Sequence, residues 1–112
     1  MDKVNLSEEF SKLQEHWRPR LIGVVNGMQV KLVKLRGVYD WHRHEDTDEF
    51  FLCVNGSFKI EYRDHAVELG PGELIVVPRG FEHRSNAEAE ADVLSFEPAG
   101  AKKTTTTDEP AQ

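Results

Sequence analysis

The stretch "WHRHEDTDEFFLCVNG", residues 41–56, decides how the chain is read. Its second half is a strand ended by a turn. "EFFLCV" is rich in aromatic and β-branched residues, and Asn55-Gly56 is a strong signal for a tight hairpin. Side chains alternate across a strand, so Glu49, Phe51 and Cys53 share one face while Phe50, Leu52 and Val54 share the other. Both faces are apolar apart from Glu49, which predicts a strand covered twice. The first half carries two histidines two residues apart, followed by four acids in five positions. Read as strand residues, His42 and His44 present both imidazoles on one face, a spacing that suits two neighbouring metal ligands. Glu49 opens the next strand, so its carboxylate returns to the same place if the two segments lie side by side. A lone His-x-His is also compatible with two solvated loop histidines, so the rest of the chain must decide.

Working outward, the same strand-and-turn grammar repeats. "LIGVV" leads into Asn26-Gly27, "MQVKLVKLR" into Gly37, "SFKIEYR" into Asp64-His65, "AVEL" into "GPG", and "ELIVV" into Pro78-Arg79-Gly80; "ADVLSFE" closes the series. Short strands at this spacing predict a β-sandwich or barrel. A helix is expected only over residues 5–17, "NLSEEFSKLQEHW". There Leu6, Phe10, Leu13 and Trp17 recur on one face, Asn5 and Glu8 form a capping pattern, and Pro19 stops the chain. The tail "AKKTTTTDEPAQ" has no apolar face and is expected to be disordered. The organisation read from this is an N-terminal helical segment over 1–20, a barrel over 21–98 and a disordered tail over 99–112.

Composition narrows the function classes. The chain has 112 residues, 38% hydrophobic and 30% charged, which suits one globular domain. Its net charge of −6 weighs against a nucleic-acid partner. It has no apolar run long enough to span a membrane, and "MDKVNLSEEF" lacks the apolar stretch of a signal peptide. One cysteine, Cys53, permits no internal disulfide and fits a cytoplasmic location, where it is read as a small buried hydrophobe.

A second segment supports the metal reading of the first. In "GPGELIVVPRGFEH", a turn at Pro71-Gly72 and another at Pro78-Arg79-Gly80 bracket a buried strand, and His83 follows Gly80 after two intervening residues. The two segments together supply three imidazoles and one carboxylate. At this point the chain resembles the cupin superfamily of small β-barrels. The first cupin motif reads here "GVYDWHRHEDTDEFFLCVNG", with Gly37, His42, His44, Glu49 and Gly56; the gap from Gly37 to His42 is four, one residue short of the usual five. The second reads "GELIVVPRGFEHRSN", with Gly72, Pro78, Gly80, His83 and Asn86, and a last gap of two where the motif has three. The "WHRHEDTDEFF", "VPRGFEH" and "FEPAG" stretches look especially like the small bacterial single-domain cupins labelled mannose-6-phosphate isomerase-like.

The resemblance implies an all-β fold: one jelly-roll-like barrel with a short N-terminal helix. It implies one divalent metal per chain, iron, manganese, nickel or zinc, held by His42, His44, Glu49 and His83. Asp46 and Asp48 are expected to be solvated or to orient the imidazoles, Trp41 and Arg43 to point away, and His16 and His65 to be surface residues. Lys31 and Lys34 are read as solvated, with a bulge deciding which one reaches the pocket. Two functions stay open: a metalloenzyme acting on a small organic molecule (dioxygenase, isomerase or lyase), and a cupin that binds or senses a small molecule without turnover. A purely structural barrel is disfavoured, since buried histidines and glutamate are costly without a metal. The doubly apolar strands "EFFLCV" and "ELIVV" predict a homodimer, with the face of the N-terminal helix as the rival cover.

Overall fold

The computed structural model describes residues 2–101 and 103–105. One short helix, α1 (Leu6–Ser11), precedes nine strands: β1 (Arg20–Val25), β2 (Met28–Val38), β3 (His42–Arg43), β4 (Glu49–Asn55), β5 (Phe58–Glu61), β6 (Ala66–Leu69), β7 (Leu74–Val77), β8 (Arg84–Pro98) and β9 (Thr104–Thr105). The all-β expectation holds. Seven strands form one antiparallel sheet in the order β1-β2-β8-β4-β7, with β5 bonded to β8 and β6 bonded to β5. β3 and β9 make a separate two-stranded ladder.

The organising element is β8, fifteen residues long. Its first part pairs with β5 at Arg84–Asn86, and its second part pairs with β4 at Asp92–Phe96 while β2 runs along its other edge. Between Leu35 and Gly37 the β2 register jumps from Ala91 to Ala87, so β8 bulges where it bends. That bend closes the sheet around a core of Leu35, Cys53, Phe58, Ile60, Leu69, Val77, Ala87, Ala91 and Val93. The sequence pattern predicts only the second part, "ADVLSFE". "RSNAEAE" is poor in β-branched and aromatic residues, and sheet closure overrides that propensity.

The helix is shorter than the 5–17 periodicity predicts. Asn5 caps it as expected, its side chain accepting from the Glu8 amide at 2.9 Å. It ends at Ser11 because Trp17 is held by the sheet. The Trp17 amide donates to the Lys34 carbonyl at 2.8 Å, its indole Nε1 donates to the Arg36 carbonyl at 3.0 Å, and its backbone sits at φ +67°. A left-handed residue cannot continue a helix. The tail also departs from expectation. Thr104–Thr105 pair with His42–Arg43, because β3 otherwise offers a free edge there. The rest of the expected disorder, residues 106–112, lies outside the described residues.

The two apolar faces of β4 separate cleanly. Phe51 packs on the core and Cys53 is fully buried within it. On the other face Phe50 stacks on Phe96 of β8 with ring centroids 4.3 Å apart. α1 packs on β2, where Lys34 lies over the Phe10 ring and Leu32, on the same face of the strand, is fully buried. Leu74 and Val76 on β7 remain exposed.

Candidate metal centre

β3 and the start of β4 bring His42, His44 and Glu49 together, and the turn before β8 adds His83. His42 and His83 exchange both backbone hydrogen bonds, at 3.0 and 2.9 Å, so their side chains stand side by side with ring centroids 4.4 Å apart. The turn that carries His83 is fastened twice to the acidic loop. The Gly80 amide donates to the His44 carbonyl at 2.7 Å, and Asp48 Oδ1 accepts from the Arg79 amide at 3.0 Å and from Arg79 Nε at 3.3 Å. Gly80 takes φ +82°, a conformation that a side chain disfavours and that lets the chain reverse here.

All three histidines are buried. Their Nε2 atoms converge on one oxygen: His83 lies 2.7 Å, His44 3.2 Å and His42 3.8 Å from Glu49 Oε1. One ligand atom each from His42, His44 and Glu49 lie within 4.8 Å of one another, a spacing that a single metal ion could bridge. His83 joins this trio through Glu49.

The hydrogen bonds behind the rings test whether the residues fit a cation. His42 Nδ1 lies 2.8 Å from the Asp40 carbonyl and His83 Nδ1 lies 2.9 Å from the Phe81 carbonyl. A carbonyl only accepts, so both Nδ1 atoms carry hydrogen, and in neutral rings both Nε2 atoms are bare acceptors. An acceptor facing a carboxylate oxygen at 2.7 Å needs positive charge between them. Burial opposes ionising Glu49, but the three imidazoles gathered round it, with His83 at hydrogen-bond distance, together outweigh it and hold the carboxyl well below the usual carboxylate range. Protonating every ring would place three buried cations around one carboxylate. A divalent ion meets the same demand with neutral imidazoles, and the donor set of nitrogens and one carboxylate suits it. For His42 and His83 the orienting groups are backbone carbonyls, while Asp46 and Asp48 are exposed, the solvated alternative of that expectation, with Asp48 engaged with Arg79.

The other residues singled out in the sequence fall elsewhere. The guanidinium groups of Arg63 and Arg84 lie over the Trp41 ring, 4.0 and 4.6 Å from its centroid, and Arg43 pairs with Glu45. His16 binds Glu90, and His65 stacks on Tyr62. Cys53 is buried, and that burial pushes its thiol up, as a packing role requires. Lys34 pairs with Asp92 and Glu90, whereas Lys31 lines the cavity beside the centre and pairs with Glu97 at 3.4 Å, so Lys31 is not the solvated lysine expected. No bulge interrupts β2 between these two lysines; alternation alone sends them to opposite faces.

That cavity has a volume of about 300 Å³ and opens onto His42, His44 and Glu49. Its walls include residues that sequence reasoning missed: Tyr39, Ser85, Ser95, Trp17 and Lys103. For Ser95 a signal existed. In "VLSFE" the residues in step with the buried Val93 are Ser95 and Glu97, so the inner face turns polar toward its end. Trp17 and Lys103 carry no local signal, since the distant ends of the chain bring them in.

A family model described as Cupin_2, cupin domain, matches residues 31–97. A cupin-2 domain containing protein from Shewanella frigidimarina NCIMB 400 is 41% identical, with a TM-score of 0.84 over 85% of this chain and 93% of that one. The uncharacterized protein YdbB of Bacillus subtilis is 34% identical over 67 residues, which is 59% of this chain and 59% of that relative, so the match spans under two thirds of its length. Hydroquinone 1,2-dioxygenase from Sphingomonas sp. TTNP3 shares the fold at 18% identity, with a TM-score of 0.69 over 85% of this chain and 74% of that one.

Proposed function

The chain belongs to the cupin domain family, and from that premise we propose that it is a metal-dependent cupin enzyme acting on a small organic molecule. In this reading His42, His44, Glu49 and His83 hold one divalent ion, and the ligand enters the adjoining cavity. The observation that carries it is the convergence of three buried imidazoles on Glu49 Oε1, with two of the rings tied through Nδ1 to carbonyls.

When bound, such an ion acts as a Lewis acid or redox centre toward a ligand oxygen. The chain's own part is to place and insulate it. The Asp40 and Phe81 carbonyls fix the tautomers of His42 and His83, and Glu49 stays ionised to offset the metal's charge. Phe51, Val33 and Leu35 supply an apolar wall, and Ser85 and Ser95 line the cavity with groups able to bond ligand oxygens. Dioxygenase, isomerase and lyase chemistry all suit this arrangement, and the likeness of "WHRHEDTDEFF" to the mannose-6-phosphate isomerase-like cupins puts sugar-phosphate isomerisation among the reactions to assay. The single cysteine, which permits no internal disulfide, supports a cytoplasmic location.

The second reading is a cupin that binds without turnover. It is favoured by Glu97, the other carboxylate lining the cavity, which is occupied by Lys31 rather than free for proton transfer.

Elemental analysis of untagged protein tests the site. We expect one equivalent of iron, manganese, nickel or zinc, lost in His44→Ala and in His83→Ala. Protein that folds and retains no metal after incubation with any of the four would remove the proposal. Oxygen uptake and product formation with small acids and sugars then separate enzyme from binding module.

A further inference from the structure

We propose that Lys103, carried to the cavity by the C-terminal strand, is its anion-binding residue, and that the ligand is a small organic carboxylate with a flat or apolar body. This rests on the reading of the cavity as the place where the small molecule binds.

The argument begins with charge. Each carboxylate lining the cavity is already engaged: Glu49 with the ligand cluster and Glu97 with Lys31. Lys103 is different. Its Nζ lies 4.0 Å from the centroid of the Tyr39 ring, and among the described residues no carboxylate pairs with it. Lys31 and Lys34, the other lysines of the neighbourhood, both have carboxylate partners. Lys103 is an exposed residue, but partial burial still pushes its ammonium down from its ordinary value, with no carboxylate partner among the described residues. An ammonium over an aromatic face gains from the ring, but keeps donors for an anion.

Position makes that charge usable. Tyr39 meets His42 edge-on with centroids 5.4 Å apart, and it stacks on Trp17 at 5.0 Å. One aromatic ring therefore separates Lys103 from the candidate metal ligands. A molecule anchored at Lys103 lies beside His42 and along Trp17 and Phe51. These walls suit a flat or apolar body, and the volume of about 300 Å³ suits a small one. β9 holds the lysine there, because Thr104–Thr105 pair with His42–Arg43 on the strand that supplies the first ligand.

The test uses the full chain, loaded with zinc, and titration calorimetry with benzoate and its neutral isostere benzamide. We expect benzoate to bind roughly tenfold more tightly than benzamide, the size of one charge-assisted hydrogen bond. Lys103→Met should erase the preference and leave benzamide binding unchanged, while Lys103→Arg keeps it. Equal binding of the two probes, no benzoate binding at millimolar concentration, or a preference that survives Lys103→Met would each overturn the proposal. Metal content, measured on the same samples, reports on the metal site independently: Lys103→Met should retain it, and loss of metal alone would count against the site and not against the lysine.

Discussion

His83 is the most constrained of the four proposed ligands. Two backbone bonds tie it to His42, the Phe81 carbonyl fixes its ring, and only 1% of its surface is exposed. A ring locked with Nδ1–H outward offers Nε2 either to a metal or to a proton. Metal retention should therefore fall as pH drops below about 6, where protons win the Nε2 atoms. Metal content after dialysis at a series of pH values measures this, and flat retention would rule these rings out as ligands. A second residue contributes to acid stability. Hydrogen bonds from Asn86 and Arg84 hold the Glu61 carboxyl below its ordinary value of 4.5. The sign follows from a folded pKa below the unfolded one: the stabilisation is complete above about pH 4.5 and is lost as pH falls through the depressed folded value. Glu61→Gln should flatten the acid limb of a plot of melting temperature against pH. An unchanged acid limb would show that the Glu61 bonds do not contribute. The residue types of the centre were legible in the sequence because ligand chemistry is local to a side chain. Their orienting partners were not, since a backbone carbonyl looks the same in every sequence.

Elements set how rigidly those residues are presented. The turn at Asn55-Gly56 was readable from two letters, but the hairpin it predicts does not form, because β4 pairs with β7 and β8 while β5 pairs with β6 and β8; the structure also adds why the second letter must be glycine. Gly56 sits at φ +76°, and a Cβ there would lie 2.6 Å from the Glu90 carbonyl oxygen on the bend of β8. Backbone cannot yield as a flexible side chain would. Gly56→Ala should therefore destabilise the fold by roughly 1–3 kcal/mol, from strain and crowding together. Chemical denaturation measures it, and a loss under about 0.5 kcal/mol, the size of a neutral surface change, would show that the β8 bend accommodates the methyl. The bend itself, the first part of β8 and the two-residue β9 were not readable. Each forms because a neighbouring edge needs a partner, a demand that comes from the sheet and not from local propensity.

At the scale of the whole molecule, the outer face of β4, β7 and β8 remains the open question posed by "EFFLCV" and "ELIVV". The Phe50–Phe96 stack lies on it, and Leu74 and Val76 are 57% and 51% exposed. We propose that a second copy covers this face, since two-fold dimers are the commonest way for a soluble chain to bury such a patch. An obligate interface would bury upward of roughly 2,000 Å². Light scattering at low micromolar concentration should give twice the chain mass, and a mass near 12.8 kDa would exclude the dimer. Leu74→Glu should shift a dimer toward monomer, and a dimer untouched by it would place the interface elsewhere.

By itself the sequence determined the β class, most strand positions and the metal-ligand residue types. Those depend on side-chain alternation, turn chemistry and donor atoms, all properties of a few adjacent residues. Tertiary structure decided the rest. It ended the helix at Ser11 so that Trp17 could bond to β2, and bent β8 around the core. It also brought Lys103, twenty residues beyond His83, to the cavity beside the ligands. Contacts of that kind join residues far apart in the chain, and no local pattern encodes them because their energy exists only after the sheet has closed.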